Sequence, residues 1–254
     1  MKAENVAEKI KISSKISIAA PYPAILLEKE GLLVAADLHI GLEDEHESRG
    51  IHIPTPILPR IINQIVTPAK DLGCKGVILL GDIKHEFGQA TEPEWFGVKK
   101  LVSKLRDQGL KVEVVRGNHD NYIIKILKEL SVPLYEPYLE LSGLFLTHGH
   151  KTLATKEGRL PKEVILGHEH PAITLKDDVG AKHRFKAFIH LRNKSCKYII
   201  LPSVSPLAYG SYFNEVPADK MLSPLLHGLD LGEAVPYIIE TEVAVKRFPK
   251  IKDL

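Results

Sequence analysis

Gly117-Asn118-His119-Asp120 closes the apolar run Val112, Val114, Val115 and opens into a helix-like segment, Ile123, Ile124, Ile126 and Leu127. Glycine permits a tight backbone turn after a strand. Asn, His and Asp are poor core residues but good ligands or acid–base groups. Four such residues prove little alone, so the reading depends on what surrounds them. Asp37-Leu38-His39 and Gly81-Asp82 lie upstream; His148-Gly149-His150 and Gly167-His168-Glu169-His170 lie downstream. Each follows an apolar, strand-like run, so side chains far apart in sequence are expected to converge on one sheet edge. Together they read as a two-metal hydrolytic site.

The runs themselves predict the fold. Leu32-Leu33-Val34-Ala35-Ala36 shows no polar alternation, as expected for a strand buried on both faces. It delivers Asp37 and His39 at its end, and Val77-Ile78-Leu79-Leu80 does the same for Asp82. Upstream, residues 16–36 read as a β-hairpin. Residues 40–56, polar and acidic with Gly41, Gly50 and Pro54 as breakers, read as a loop over the site. Ile57, Leu58, Ile61, Ile62, Ile65 and Val66 have helical spacing, with Pro68 ending or distorting the helix. Trp95, Val98, Leu101, Val102 and Leu105 mark a second amphipathic helix, closed by Gly109. This rhythm predicts βαβ units and a mainly parallel sheet up to about residue 130. Beyond it, Leu144 to Thr147, Val164 to Leu166, Phe185 to Leu191, Tyr198 to Leu201 and Tyr237 to Ile239 read as strands with few helices between them. A second sheet packed against the first is expected. With no internal repeat or linker, residues 1–254 are taken as one domain.

Composition narrows the setting. Hydrophobic residues at 44% and charged residues at 26% are ordinary for a soluble globular chain. A net charge of +2 is too small to imply nucleic-acid affinity by itself. Cys74 and Cys196 cannot build a disulfide framework and read as buried free thiols in a reducing compartment. The segment Met1 to Asn5 carries mixed charge and no apolar core of a secretory signal, and no run approaches transmembrane length. A cytoplasmic protein with no membrane partner is expected.

The motif spacing has a chemical logic. Asp-x-His on an extended segment puts both side chains on one face, because strand side chains alternate; the same holds for His168 and His170. A carboxylate able to bridge two cations is then needed, and Asp82 at a strand end is the natural candidate. Asn118 and His148 add an amide oxygen and another imidazole. A nitrogen and oxygen donor set without cysteine suits Mn²⁺, Fe or Zn²⁺, and less commonly Ni²⁺, rather than a structural thiolate zinc. Two such ions about 3.5–4 Å apart clamp an in-line phosphoryl displacement and lower the pKa of water.

Asp37-x-His39, Gly81-Asp82, Gly117-Asn118-His119-Asp120, His148 and Gly167-His168-x-His170 resemble the calcineurin-like metallophosphoesterase superfamily. Asp37 to Glu43, with Gly81 to Phe87, further resembles the small archaeal phosphoesterases related to SbcD-type nucleases. The resemblance implies an α/β fold, a four-layer αββα sandwich of two mixed β-sheets flanked by helices. It also implies one metal held by Asp37, His39, Asp82 and His170 and a second held by Asp82, Asn118, His148 and His168. His119 would protonate the leaving oxygen or stabilise phosphoryl charge, and Asp120 would orient the His119 imidazole. Metal-activated hydroxide would attack, without a covalent phospho-enzyme.

The expected activity is phosphodiester hydrolysis on a small molecule, a nucleotide or nucleic acid, with two Mn²⁺ ions as cofactor. The alternatives are a phosphomonoesterase and, if ligands or His119 were missing, a non-catalytic scaffold. A protein Ser/Thr phosphatase would carry Gly-Asp-x-x-Asp-Arg, whereas Asp82 is followed by Ile83-Lys84-His85-Glu86. Four nearby residues stay open at this point. His85 and Glu86 read equally as substrate contacts or as a solvated loop, Arg116 as a phosphate partner or a strand cap, and His150 as a hydrogen-bonding neighbour of the site. Pro202 to Leu207 reads as an irregular loop near the strand ends, on the pocket wall. Oligomeric state is not legible in these residues.

Overall fold

Leu33 and Ala35 face one way and Val34 and Ala36 the other, and that alternation feeds two separate hydrophobic clusters. The computed structural model describes residues 6–153 and 161–254; the Met1 to Asn5 segment considered above lies outside them. In the first sheet, β1 (Glu8–Lys11), β2 (Ile16–Ala20), β3 (Ala24–Leu27) and β4 (Leu32–Ala35) form an antiparallel meander. The expected hairpin is therefore three strands with a fourth ahead of it. From β4 the sheet continues in parallel through β5 (Gly76–Leu80), β6 (Lys111–Val115) and β7 (Leu134–Tyr135).

Among the described residues the α-helices are α1 (Leu42–Ser48), α2 (Ile57–Asp71), α3 (Glu92–Asp107) and α4 (Ile123–Glu129). The last three pack Ile61, Ile65, Leu101 and Ile126 onto Leu33, Leu79 and Val114. α3 begins with a capping box between Thr91 and Glu94, which satisfies backbone donors at its N-terminus. Two sequence expectations are corrected here. The segment 40–56 contains α1, which buries no side chain and so leaves no apolar period to read; Glu43, Asp44 and Glu45 favour its first turn. Pro68 sits inside α2, which runs on to Asp71. Proline removes one backbone donor there, and Pro68 and Ala69 are buried in the final turn alongside Ile65.

The second sheet comprises β8 (Tyr138–Leu141), β9 (Leu144–Thr147), β10 (Glu163–Leu166), β11 (Ala172–Lys176), β12 (Lys182–Arg192), β13 (Lys197–Ile200), β14 (Val235–Glu240) and β15 (Ala244–Arg247). Their order is β15-β14-β12-β13-β10-β9-β8, with β11 also paired to β12. β9, β10 and β13 are parallel and their neighbours antiparallel, so both sheets are mixed, as expected. Ile18, Val34, Ile78 and Leu80 meet Leu146, Ile165, Phe188 and Ile199 between the sheets. Each such fully buried side chain contributes about 1.5–3 kcal/mol. The outer face of the second sheet is covered by irregular chain with 3₁₀ turns at Ala218–Lys220 and Leu231–Glu233, which packs Phe213, Met221 and Leu226 onto it. No helix among the described residues is long and apolar enough to cross a membrane.

The parallel strands β4, β5 and β6 of one sheet and β9, β10 and β13 of the other end at the same edge of the sandwich. There the sheets are joined by a parallel bridge between Ala36 and Ser203. Val204 N donates to the Ala36 carbonyl (3.0 Å) and Ser205 N to that of Asp37 (3.2 Å).

Candidate metal centre

β4, β5, β6, β9 and β10 each hand over to a motif residue at this edge, and β13 leads into the loop from Pro202 to Leu207. The chain does not continue extended, however. Asp37, His39, Asp82, His168 and His170 have φ of 59°, 46°, 50°, 70° and 45°. The expectation that Asp-x-His pairs share a face by strand alternation is thus corrected: they converge because the backbone turns left-handed at each one. That conformation costs non-glycine residues about 1–3 kcal/mol each and persists where the surroundings enforce it. Here His39 N donates to the Asp82 carbonyl (2.9 Å) and Ile40 N to that of Ile83 (2.9 Å), tying the two turns together.

Seven predicted ligands meet. Donor atoms of Asp37, His39, Asp82 and His170 lie within 4.8 Å of one another, and so do those of Asp82, His148 and His168. Asp82 belongs to both groups. Its Oδ1 accepts from His119 N (3.0 Å), while Oδ2 lies 3.3 Å from His148 Nε2 and 3.8 Å from His39 Nε2 and His119 Nε2. Asn118 Oδ1 is 3.0 Å from His148 Nε2, joining the second group. Asp37 accepts from His168 N at both oxygens (3.1 and 3.0 Å) and presents Oδ1 to His170 Nε2 at 3.4 Å. Gly117 is required by this crowding: a Cβ there would lie 2.2 Å from Asp82 Oδ1.

Hydrogen bonds set the imidazole orientations. His148 Nδ1 donates to the Leu80 carbonyl (2.8 Å), aiming Nε2 at Asp82 and Asn118. His119 Nδ1 donates to the carbonyl of His85, which leaves Nε2 directed at the centre. The role expected of Asp120 is therefore corrected. Its carboxylate accepts from Ile83 N (3.0 Å) and Gly117 N (2.9 Å), pinning the ends of β5 and β6 together, and the His85 carbonyl orients His119.

His85 itself belongs to the site. Its Nε2 donates to Glu45 on α1, and its Nδ1 lies 3.3 Å from His39 Nδ1. With the His85 proton committed to Glu45, Nδ1 accepts from His39, so His39 keeps its Nε2 lone pair facing Asp82 and His170. Buried Glu94 holds the loop in place by accepting from His85 N (2.9 Å) and Glu86 N (2.7 Å). Glu45 carries no motif signal in the sequence, and the Thr91-x-x-Glu94 pattern signals a helix start rather than a contact with the site. Glu169, inside the Gly-His-Glu-His motif, is buried and accepts from Ser211 Oγ and Ser223 N, stitching distant loops to the site.

Other open residues resolve differently. Arg116 is engaged by Glu136 (2.7 Å) and Asn121 (2.7 Å), away from the ligand groups. The Glu86 side chain caps Gly88 N. His150 lies beside His148 and His168, with ring centroids 5.2 and 6.2 Å away, and its buried Nδ1 has no partner. Phe87 covers one face of His119 at 3.6 Å between centroids.

The electrostatics suit cations. Burial pushes up the Asp37 and Asp82 carboxyls, but neighbouring imidazoles more than reverse this and hold both below the usual range. Burial and like-charged imidazole neighbours push His39 down to about 3 and His168 to about 4, so both are neutral near pH 7. His148 is the exception. Burial lowers it, but the Asp82 carboxylate overrides that and raises it to about 9. Below that pH its Nε2 carries a proton facing Asp82 and Asn118, in the place where a cation would compete for the same acceptors. Metal affinity is therefore expected to rise with pH up to about 9, by as much as ~10-fold per unit, with one proton released on loading. Calorimetric Mn²⁺ titrations in buffers of different ionisation enthalpy check this. A pH-independent affinity without proton release would contradict it.

A family profile described as calcineurin-like phosphoesterase matches residues 32–231. Phosphodiesterase YfcE of Escherichia coli (strain K12) is 29% identical over 102 residues, covering 39% of this chain and 53% of that protein. The chain spans about half the length of the curated relatives it matches. The crystal structure of Pseudomonas putida nuclease MPE superposes with a TM-score of 0.65 at 20% identity, covering 95% of this chain and 100% of that one. At that identity the likeness is one of fold.

Proposed function

Because the chain belongs to the calcineurin-like phosphoesterase family, we propose that it is a phosphodiesterase dependent on two divalent metal ions. The observation that carries the reading is Asp82, a carboxylate shared by two ligand groups, whose Oδ2 lies among His39, His119 and His148. Asp37, His39 and His170 complete one group; Asn118, His148 and His168 complete the other. The donors are nitrogen and oxygen without thiolate, which favours Mn²⁺, with Fe, Zn²⁺ or Ni²⁺ as alternatives. When bound, such ions polarise the phosphate and acidify water.

The chain's own residues do the rest. His119, anchored through Nδ1, holds Nε2 where it can protonate the leaving oxygen. Burial lowers its pKa, and an arriving phosphate anion raises it again by Coulomb attraction. Phe87 shields one face of the ring from water. The His39–His85–Glu45 chain and the Asp120 bonds hold the ligand-bearing turns in position. The diester preference draws on His119 and on the likeness to YfcE, whose name is that of a phosphodiesterase. Free Cys74 and Cys196 fit a reducing cytoplasm.

The test is hydrolysis of bis(p-nitrophenyl) phosphate against p-nitrophenyl phosphate by metal-stripped protein, with and without Mn²⁺. Mn²⁺-dependent diester turnover is expected. Monoester-only turnover would make the protein a phosphatase, and two bound ions with no turnover of either substrate would favour a scaffold.

A further inference from the structure

A cleft of about 380 Å³ lies between α2, β12, the segment from Val204 to Tyr209 and the end of β14. Its size matches a small-molecule site, and its lining has three distinct chemistries. Arg60 and Arg184 are exposed, and among the described residues neither has a carboxylate within ion-pair distance. Glu240 is the opposing charge in the cleft, so the balance stays cationic. Tyr209 presents an aromatic ring that is 58% exposed, with Lys186 Nζ over it at 5.6 Å from the centroid. Gln64 is 1% exposed, lines the same cleft and leaves its buried Oε1 without a hydrogen-bond partner. A buried acceptor in that state calls for a donor.

The wall of the cleft is continuous with the metal ligands. Lys186 Nζ is committed to Ser203 O (2.9 Å), Ser203 Oγ (2.8 Å) and the Ser205 carbonyl, so it shapes the wall rather than offering protons to a guest. The loop it holds is bonded to Ala36 and Asp37. Tyr209 precedes Gly210, where a Cβ would lie 2.6 Å from His170 Cβ. The ring is thus set one residue from the backbone packed on a ligand.

Two arginines without an ion-pair carboxylate, Arg184 resting over the Tyr212 ring at 4.7 Å from its centroid, call for an anion that can accept from both. The part of the Tyr209 ring that Lys186 does not cover calls for a flat ring. The Gln64 oxygen calls for an N–H or O–H. Inorganic phosphate offers the first of these and no aromatic face, whereas a nucleotide offers all three. We propose that this cleft seats the nucleotide unit adjoining the scissile phosphate, which makes oligonucleotides, rather than isolated small diesters, the substrate class. The proposal rests on the phosphodiesterase reading above.

The first test uses metal-free protein and a fluorescein-labelled thymidylate tetramer followed by anisotropy. R60Q/R184Q and Y209A, all on exposed side chains, are each expected to weaken binding by about tenfold or more, as loss of charge-assisted bonds or of a stacked base does. Unchanged affinity in both variants would overturn the subsite. Competition by thymidine monophosphate as strong as by unlabelled tetramer would overturn the adjoining-unit role and make the cleft a mononucleotide site. In the loaded enzyme, the ratio of kcat/KM for the tetramer to that for bis(p-nitrophenyl) phosphate should fall by a similar factor in R60Q/R184Q. An unchanged ratio would also overturn the subsite. Absence of turnover on both substrates by the wild type would defeat the phosphodiesterase reading instead, while the binding arm would still decide the cleft.

Discussion

Replacing Asp82 by asparagine is expected to strip both ions from the protein and to lower phosphodiester turnover by ~10³-fold or more, the scale of losing a preorganised electrostatic contact. The substitution preserves shape: an amide oxygen can still accept from His119 N, the bond that Oδ1 makes now. What disappears is the negative charge of the one carboxylate common to both ligand groups. His148 changes with it. Burial alone pushes that imidazole down, and the Asp82 carboxylate is the largest opposing influence, so in the variant His148 no longer stays protonated up to about pH 9. Asp37→Asn is the contrast, because Asp37 belongs to one group only. Metal content measured on both variants should read none for Asp82→Asn and one ion for Asp37→Asn. Two tightly held ions in Asp82→Asn would remove Asp82 from its shared position.

His119→Ala is expected to leave metal content intact while lowering turnover of a nucleoside-leaving diester by ~10²–10⁴-fold, the range for a general acid. The leaving group separates the possible roles. A p-nitrophenolate departs without protonation, so its diester should lose far less rate in the variant than the nucleoside diester. Equal losses would mean that the ring stabilises phosphoryl charge instead of delivering a proton. No loss with either substrate would remove His119 from the chemistry altogether. Metal retention is expected because the ring sits 3.8 Å from Asp82 Oδ2 through Nε2 and is fixed by a backbone carbonyl, outside the two groups centred on Asp82.

Much of this site was legible in the chain because most of the candidate ligands follow strands buried on both faces, β6 ahead of Asn118 being the exception. An unalternating apolar run that stops at Asp, Asn or His says that a polar group stands at a sheet edge, and in Leu32 to Ala36 and Val77 to Leu80 that inference needs no structure. How the ligands turn inward was not legible. Left-handed φ at Asp37 or His170 is set by cross-strand bonds such as His39 N to the Asp82 carbonyl, which a local pattern cannot display. Asp120 misled for a related reason: adjacency to His119 suggested a side-chain pair, but its carboxylate folds back onto Gly117 N and across to Ile83 N. Glu45 and His85 meet across 40 positions, and α1, which carries Glu45, buries nothing that would announce a helix. The cover on the second sheet between Phe213 and Leu231 lacks a period because it is built from turns.

The split origin of the ligands has a mechanical consequence. Asp37, His39, Asp82 and Asn118 ride on one sheet, and His148, His168 and His170 on the other, so each ligand group takes donors from both. The gap between the groups is then set like the opening of a caliper, by how Phe188 and Ile165 seat against Val34 and Ile78 in the apolar layer between the sheets. A packing change buried far from the chemistry would reset that opening without touching a single donor atom. In protein loaded with Mn²⁺ it would surface as altered magnetic exchange between the ions.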